Sequence, residues 1–182
     1  MQQIRRVVVG TGADGKSRVL TDAAAPRRAE FTTVPGFVAS LLWSTGAAET
    51  VARGAAITDR TPQVGFVPAP GESRLMVVTF PPDAVMMRAD FDGAAFGAEF
   101  GQLVPGLAET FEPEHPGMHT TDSIDYDIVL EGEITLELDD GAQVLLRQHE
   151  VAVQHGNRHA WRNLGERPAT MLFVLMGARR QG

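Results

Sequence analysis

The chain has 182 residues, about the length of one domain, and its 43% of apolar residues exclude disorder as the main state. Sixteen basic residues against 23 acidic ones give a net charge of −7, so neither nucleic acid nor an anionic membrane is an expected partner. The absence of cysteine excludes disulfides, thiolate zinc sites and thiol nucleophiles. No apolar run has the length of a signal-peptide core or a membrane span, and we expect a soluble, cytoplasmic protein.

The N-terminal part of the sequence predicts a hairpin and two buried strands. The turn 10–15 matches GxGxxG, but the dinucleotide-binding loop needs a helix after its glycines. Here the β-rich run Arg18-Val19-Leu20 follows, so we interpret the segment as a hairpin turn. The predicted elements in this part are the hairpin strands 5–9 and 17–21, a polar connection at 22–35, and buried strands at 37–43 and 75–80.

A short amphipathic helix is predicted after the second buried strand, because apolar side chains recur at helical spacing until Pro105 interrupts them. The side chains concerned are Phe96, Phe100, Leu103, Val104 and Leu107. We favour a helix that packs on the outside of a barrel. The alternative is a lid or a dimer contact near the mouth of a pocket.

From Tyr126 onward the sequence predicts one short strand after another, which is typical of an all-β sandwich or barrel. Ile134, Leu136 and Leu138 alternate with polar residues, which predicts a strand with one buried and one solvated face. The glutamates that we assign to solvated strand faces, and not to catalysis, are Glu131, Glu133 and Glu137. The remaining predicted elements are a turn at 139–141 and strands at 144–146, 151–153 and 171–175.

All five histidines lie between residues 115 and 159, and the first 114 residues contain none. A surface position is a sufficient explanation for His115 and His149, whose neighbours are polar residues or prolines. His119 and His159 differ, because each stands in a recognisable motif.

The segment from Gly117 to Gly132 resembles the first sequence motif of the cupin superfamily. That motif has two histidines one residue apart, then Glu, then Gly seven positions after the Glu. His119 takes the place of the first histidine, and Asp125 lies seven positions before Gly132. Thr121 stands where the second histidine is expected, and Asp125 is one methylene shorter than the expected Glu.

The segment from 155 to 163 resembles the second cupin motif, in which Gly, His and Asn recur at fixed spacing. Gly156, His159 and Asn163 match all three positions, whereas Gln154 replaces a proline. Of the four metal ligands that the resemblance implies, two are therefore kept, one is shortened and one is lost.

The resemblance implies an all-β fold, the cupin double-stranded β-helix or jelly roll, with an N-terminal β arm and one short inserted helix. We expect one domain over 1–182, with the arm and flanking strands at 1–72 and a barrel core at 73–178 that carries the helical insertion near 94–110. The hairpin and the stretch His-x-Thr-Asp-x-x-Asp-Tyr are similar to a subgroup of small bacterial cupins. A homodimer is expected, because cupins resembling this one often pair through arm strands.

Strand alternation supports a shared site independently of the family. His119, Thr121 and Asp125 have the same parity and point to one face, which His159 reaches from another strand. Two imidazoles and a carboxylate are enough to hold a divalent ion such as Fe, Mn or Zn with open coordination positions. The predicted metal ligands are His119, Asp125 and His159, and the predicted pocket residues are Thr121, Trp161 and His155.

Two functions remain open from the sequence. The first is a metal-dependent enzyme that acts on a small oxygenated organic molecule as a decarboxylase, dioxygenase or isomerase. The alternative is a metal-free cupin that binds or senses a small molecule without catalysis. Trp161 offers an aromatic wall that suits a planar or carbonyl compound, while Tyr126 has the opposite parity to Asp125 and is expected away from the site.

Overall fold

The computed structural model describes residues 3–51 and 57–181, which form eleven strands and one α-helix, α1 (Gly93–Leu103). In chain order the strands are β1 (Arg5–Thr11), β2 (Ser17–Ala24), β3 (Arg27–Glu30), β4 (Val38–Thr45), β5 (Ser73–Phe80), β6 (Ser123–Glu131), β7 (Glu133–Glu137), β8 (Gln143–Arg147), β9 (Val151–His155), β10 (Ala160–Arg162) and β11 (Ala169–Gly177). Short 3-10 turns lie at Asp83–Val85, Ala108–Thr110 and Asp139–Gly141. Within the described ranges, no helix has the length and hydropathy needed to cross a membrane.

The strands form three antiparallel sheets. A six-stranded sheet has the order β3-β4-β5-β11-β6-β9, a three-stranded sheet has the order β10-β7-β8, and β1 pairs with β2. One cluster of buried side chains joins the two larger sheets, with Ile134 and Leu146 from the smaller sheet packed among residues such as Val129, Met171 and Phe173 of the larger. The all-β jelly roll that the sequence predicts is confirmed.

Strand β11 illustrates how alternation builds the core. Met171, Phe173 and Leu175 are almost completely buried, whereas Leu172 and Val174 between them are half-buried on the opposite face. The strand lies in the middle of the large sheet, between β5 and β6, and so it places its inward row at the centre of the barrel.

Two predictions of local structure need correction. The segment 22–35 is not only a polar connection, because β2 continues to Ala24 and β3 pairs with β4. The small side chain of Ala29 lets β3 bury one face while its charged residues stay nearer the solvent. In β7, Thr135 is buried together with Ile134 and Leu136, because its side chain lies between those of its cross-strand partners, Arg162 of β10 and Leu145 of β8.

The N-terminal hairpin of β1 and β2 is attached to the barrel by Arg6. Its guanidinium forms an ion pair with Asp59 at 2.7 Å and donates a hydrogen bond to the carbonyl of Leu42 at 3.0 Å. Val9 and Val19 of the hairpin are more than half exposed. These apolar side chains are compatible with an arm that pairs with a second copy, and the homodimer stays a prediction.

Helix α1 begins at the predicted place and ends just before Pro105. Asp92 caps its first turn by accepting a hydrogen bond from the backbone N–H of Ala95 at 2.9 Å. None of its residues is fully buried, and Phe96 and Phe100 attach it to the barrel by packing on Phe31, with ring centroids 5.6 and 5.2 Å away.

Glu99 provides a second attachment of α1. Its carboxylate accepts hydrogen bonds from the backbone N–H and the hydroxyl of both Thr32 and Thr33, in the loop between β3 and β4. Desolvation alone raises the pKa of Glu99, but these four hydrogen bonds outweigh it and lower the pKa to about 2. The ionised carboxylate therefore holds the helix against the loop.

We expect Glu99→Gln to lower the melting temperature by a few degrees at pH 7, because an amide has one acceptor oxygen where the carboxylate has two. A group whose pKa falls on folding stabilises the protein above its unfolded pKa and loses that effect as the pH falls through the folded value. The melting temperature of the unmodified chain should therefore fall more steeply between pH 5 and 3 than that of the variant. Glu114→Gln, at an exposed glutamate, is the matched control, and identical pH profiles for all three proteins would contradict the attachment.

Candidate active site

A cavity of about 70 Å³ inside the barrel collects most of the residues that the sequence singles out. The cavity is lined by the two larger sheets and by the α1 segment, which is helix α1 with the residues after it up to Leu107. Its polar side chains are His119, Thr121, Asp125, Gln154 and His159, and the other lining residues, Trp161 among them, are apolar.

The two histidines are brought together by the backbone. The N–H of His119 donates to the carbonyl of His159 at 2.9 Å, and the N–H of His159 donates back to the carbonyl of His119 at 3.0 Å. Residues that exchange both hydrogen bonds lie directly opposite each other and project their side chains to the same side. The imidazole centroids are consequently 4.2 Å apart, with the ring planes at 51°.

Both imidazoles are held in one tautomer. Nδ1 of His119 lies 3.1 Å from the carbonyl oxygen of Gly117, and Nδ1 of His159 lies 3.0 Å from that of Asn157. A carbonyl can only accept a hydrogen bond, so each Nδ1 carries the proton and donates it. The lone pair of each ring is therefore on Nε2, where it is free to bind a proton, a ligand or a metal ion.

Burial keeps both rings neutral. Desolvation, together with the neighbouring His159, lowers the pKa of His119 to about 4, although the hydrogen bond to Gly117 opposes the shift. Desolvation also lowers the pKa of His159. At neutral pH the pair offers two uncharged imidazoles.

Asp125 lines the same cavity from β6. Burial raises the pKa of its carboxyl, an effect that the hydroxyls of Ser123 and Thr121 partly offset. Its Oδ1 is buried and has no hydrogen-bond partner among the described residues. A buried acceptor without a partner is unfavourable and indicates a place for a ligand, an ion or water. Thr121 accepts a hydrogen bond from Ser123 Oγ at 2.9 Å.

Gln154 lines the cavity and Asp127 is buried in contact with it, and neither was predicted as a site residue. Gln154 lies opposite Asp125 in the pairing of β6 with β9, and its Nε2 donates to Oδ2 of Asp127 at 2.8 Å. Asn157 in turn donates to Oε1 of Gln154 at 3.0 Å, so this network reaches the residue whose carbonyl fixes His159. Burial, and secondarily the charge of Asp125, raise the pKa of Asp127 to about 7, against the hydrogen bond from Gln154. The signal in the sequence was the parity that Asp127 shares with Asp125.

The prediction for His155 is corrected by the structure. Its side chain is exposed at the end of β9 and does not line the cavity, because alternation turns Gln154 inward and the next residue outward. Tyr126 is 43% exposed on the outer face, as its parity indicates.

Helix α1 packs on the outside of the barrel, as the favoured interpretation predicts, and its last turn and the residues after it also contribute to the site. Phe100 of α1 and Val104 and Leu107 after it line the cavity. The helix and the residues after it thus form one wall of the pocket, and the alternative of a lid stays a prediction. Phe111, which follows, stacks on the ring of His119 at 4.6 Å and 29°.

The donor atoms of the site are of the kinds that bind a divalent ion. Two neutral imidazoles with Nδ1 fixed by carbonyl groups and Nε2 free are the arrangement that metal-binding histidines adopt, and Asp125 Oδ1 is an orphaned carboxylate oxygen on the same wall. Nevertheless, within residues 3–51 and 57–181 no three His, Asp or Glu side chains converge closely enough to hold an ion. The histidine pair thus offers two donor nitrogens, and Asp125 lines the same cavity without forming a three-ligand set with them.

Parts of the chain are similar to known proteins in sequence and in structure. No family model matches the chain. It is 48% identical over 63 residues to phomopsin biosynthesis cluster protein C' of Diaporthe leptostromiformis, a match that covers 34% of this chain and 33% of the relative. It is 44% identical over 62 residues to the cupin-domain-containing oxidoreductase virC of Hypocrea virens, with 32% of each chain covered. The chain therefore spans about a third of the length of these curated relatives.

Among solved structures, the chain is similar to an RmlC-like cupin family protein with a double-stranded β-helix fold from Methanocaldococcus jannaschii. The sequence identity is 13% and the TM-score is 0.37, with 58% of this chain and 70% of that chain covered.

We expect Gln154→Ala to destabilise the fold by about 1–3 kcal/mol, because it leaves Asp127 Oδ2 buried without a partner and removes the acceptor of the half-buried Asn157 Nδ2. Urea denaturation measures the change in the free energy of unfolding. His155→Ala, at the adjacent exposed position of β9, is the control and should change stability by less than about 0.5 kcal/mol. Equal changes in the free energy of unfolding for the two substitutions would show that the hydrogen bonds of Gln154 contribute nothing to stability.

Proposed function

We propose that this chain, a member of the cupin superfamily, is an enzyme that acts on a small oxygenated organic molecule bound in the barrel cavity. The observation that carries the proposal is the histidine pair, whose two Nε2 atoms have no hydrogen-bond partner among the described residues and lie in a mostly apolar pocket. Uncharged, desolvated imidazoles fixed in one tautomer are the groups that active sites use to bind ions and to transfer protons.

The pair has a defined part in this proposal. His119 and His159 would hold a divalent ion, with Asp125 as the third ligand, and Fe, Mn and Zn are the metals to test. Such an ion supplies a Lewis acid that polarises a carbonyl or hydroxyl oxygen of the substrate. Thr121 would orient a water molecule or the substrate oxygen through its hydroxyl, and Gln154 keeps the β9 side of the site in place.

The names of the curated relatives support an enzyme over a binding protein without catalysis. Several are described as cupin-domain-containing oxidoreductases, and others as proteins of biosynthesis clusters. Oxidation is therefore the reaction class that we would test first, before decarboxylation and isomerisation. A metal-free binding or sensing protein is the less favoured alternative.

We expect the purified, untagged protein to contain close to one equivalent of Fe, Mn or Zn per chain by elemental analysis. His119→Gln combined with His159→Gln should abolish ion binding in calorimetric titration and leave the far-ultraviolet circular dichroism unchanged, because glutamine nearly preserves the volume of each ring. An unmodified protein that stays metal-free after incubation with excess ions would contradict the metal-dependent proposal. Unfolding of the double variant would assign the histidines to structure, and the single variants would then show which ring the fold requires.

We expect Asp125→Asn to weaken ion retention more than Thr121→Val does, since the first change removes the anionic oxygen and the second removes a hydroxyl that is a poor metal ligand. Retention can be followed by the rate of metal loss to a chelator. The reverse order would exclude Asp125 as a ligand.

A further inference from the structure

The residues that line the cavity indicate what kind of molecule it can hold, in particular the part of the substrate that does not react, here called its body. Thirteen of the eighteen lining residues are apolar, and many of these are aromatic. The polar residues come from three neighbouring segments, at 119–125, at 154 and at 159, which the pairing of His119 with His159 and of Asp125 with Gln154 brings together. The polar groups thus lie together in one part of the cavity, and the remaining walls are formed by apolar side chains.

No lysine or arginine of the described residues lines the cavity. A carboxylate or phosphate on the body of a substrate would therefore be buried against apolar walls without a counter-charge, which is strongly unfavourable. The walls thus select a body without negative charge, whatever group reaches the histidines.

Aromatic rings line the cavity next to the histidine pair, which we call its reactive end. Phe111 stacks on His119, Trp161 meets His159 edge-on at 6.0 Å and 80°, and Phe173 meets Trp161 at 5.8 Å and 73°. All three aromatic residues line the cavity, and their contacts include both the stacked and the edge-on geometry in which a further aromatic ring packs favourably. A flat unsaturated body makes better use of such walls than a saturated one of the same size.

From these observations we propose that the substrate has a flat, uncharged, aromatic body and a single oxygen-bearing end that contacts the histidine pair. The inference rests on the proposed function, because that function fixes where the reacting oxygen lies. It adds the class of molecule, which neither the motifs nor the names of the relatives specify.

The size of the cavity determines how such a molecule enters. Its volume of about 70 Å³ is half of the roughly 150 Å³ of an apolar cavity that holds benzene, so a ring needs additional room. Phe100 and Leu107 line the cavity and are only half-buried, so their side chains can shift outward, whereas Val104 between them is buried. The proposal therefore requires these two side chains to move when a ring binds.

Trp161 allows the inference to be tested by fluorescence. The chain has two tryptophans, and Trp43 lies outside the cavity lining beside the guanidinium of Arg6 at 5.4 Å, so Trp43→Phe leaves one reporter in the pocket. The probes share a carboxamide end: benzamide has a flat neutral body, 4-carbamoylbenzoate adds an anion at the far end, and cyclohexanecarboxamide replaces the flat ring with a saturated one. We expect benzamide to bind at least about tenfold more tightly than each of the other two.

Two further measurements complete the test. Saturation-transfer NMR on the unmodified protein should give the same ranking, which excludes an effect of the Trp43 substitution. Phe111→Leu should reduce the preference for benzamide over cyclohexanecarboxamide, whereas Phe91→Leu, at an aromatic residue outside the cavity lining, should preserve it.

The proposal is overturned if benzamide does not bind at millimolar concentration, or if either of the other probes binds as tightly. Its failure is distinguishable from failure of the proposed function. Ion binding with no preference for benzamide removes only the substrate class, whereas the preference without ion binding removes only the metal-dependent reaction.

Discussion

The reciprocal backbone pairing of His119 with His159 is the constraint on which the site depends. It is an isolated bridge outside the regular strands, formed between the segment before β6 and the segment before β10. Because directly opposed residues in an antiparallel pair share a face, this bridge alone sets the two imidazoles side by side. The carbonyls of Gly117 and Asn157, each two residues before its histidine, then fix the tautomers. Position and protonation of the pair thus follow from backbone geometry.

Asp125 obeys a different constraint. Asp125 lines the cavity because it lies an even number of residues from Thr121 and so points to the same face. Sharing a face does not by itself bring the carboxylate close to the two imidazoles. The shorter aspartate side chain, in the place of the expected glutamate, reaches less far from the strand. Its unsatisfied Oδ1 and the buried Asp127 two residues further along make this part of β6 polar and acidic. Gln154 stabilises it by donating to one of the two carboxyl groups.

The sequence was sufficient to predict those features that the local alternation of apolar and polar residues determines. Alternation predicted the strands and the common face of His119, Thr121 and Asp125, and the turn chemistry predicted the hairpins. It was insufficient where the outcome depends on which distant segments become neighbours. Gln154 enters the site because β9 pairs with β6 in one particular register, and β3 forms because β4 is available to pair with it. The inward face of α1 likewise depends on Phe31, far from it in the chain.

The histidine end and the apolar wall of the pocket are held in place by different attachments. The reactive end is built on paired backbone and strands, where a change of one residue disturbs the hydrogen bonds of its neighbours. One apolar wall is built on α1 and the residues after it, which are attached through aromatic packing and through the carboxylate of Glu99. Substitutions in this segment can reshape the space for the substrate body without moving either imidazole. The same attachments contribute to stability, so a looser segment that admits larger molecules more readily also leaves the fold less stable.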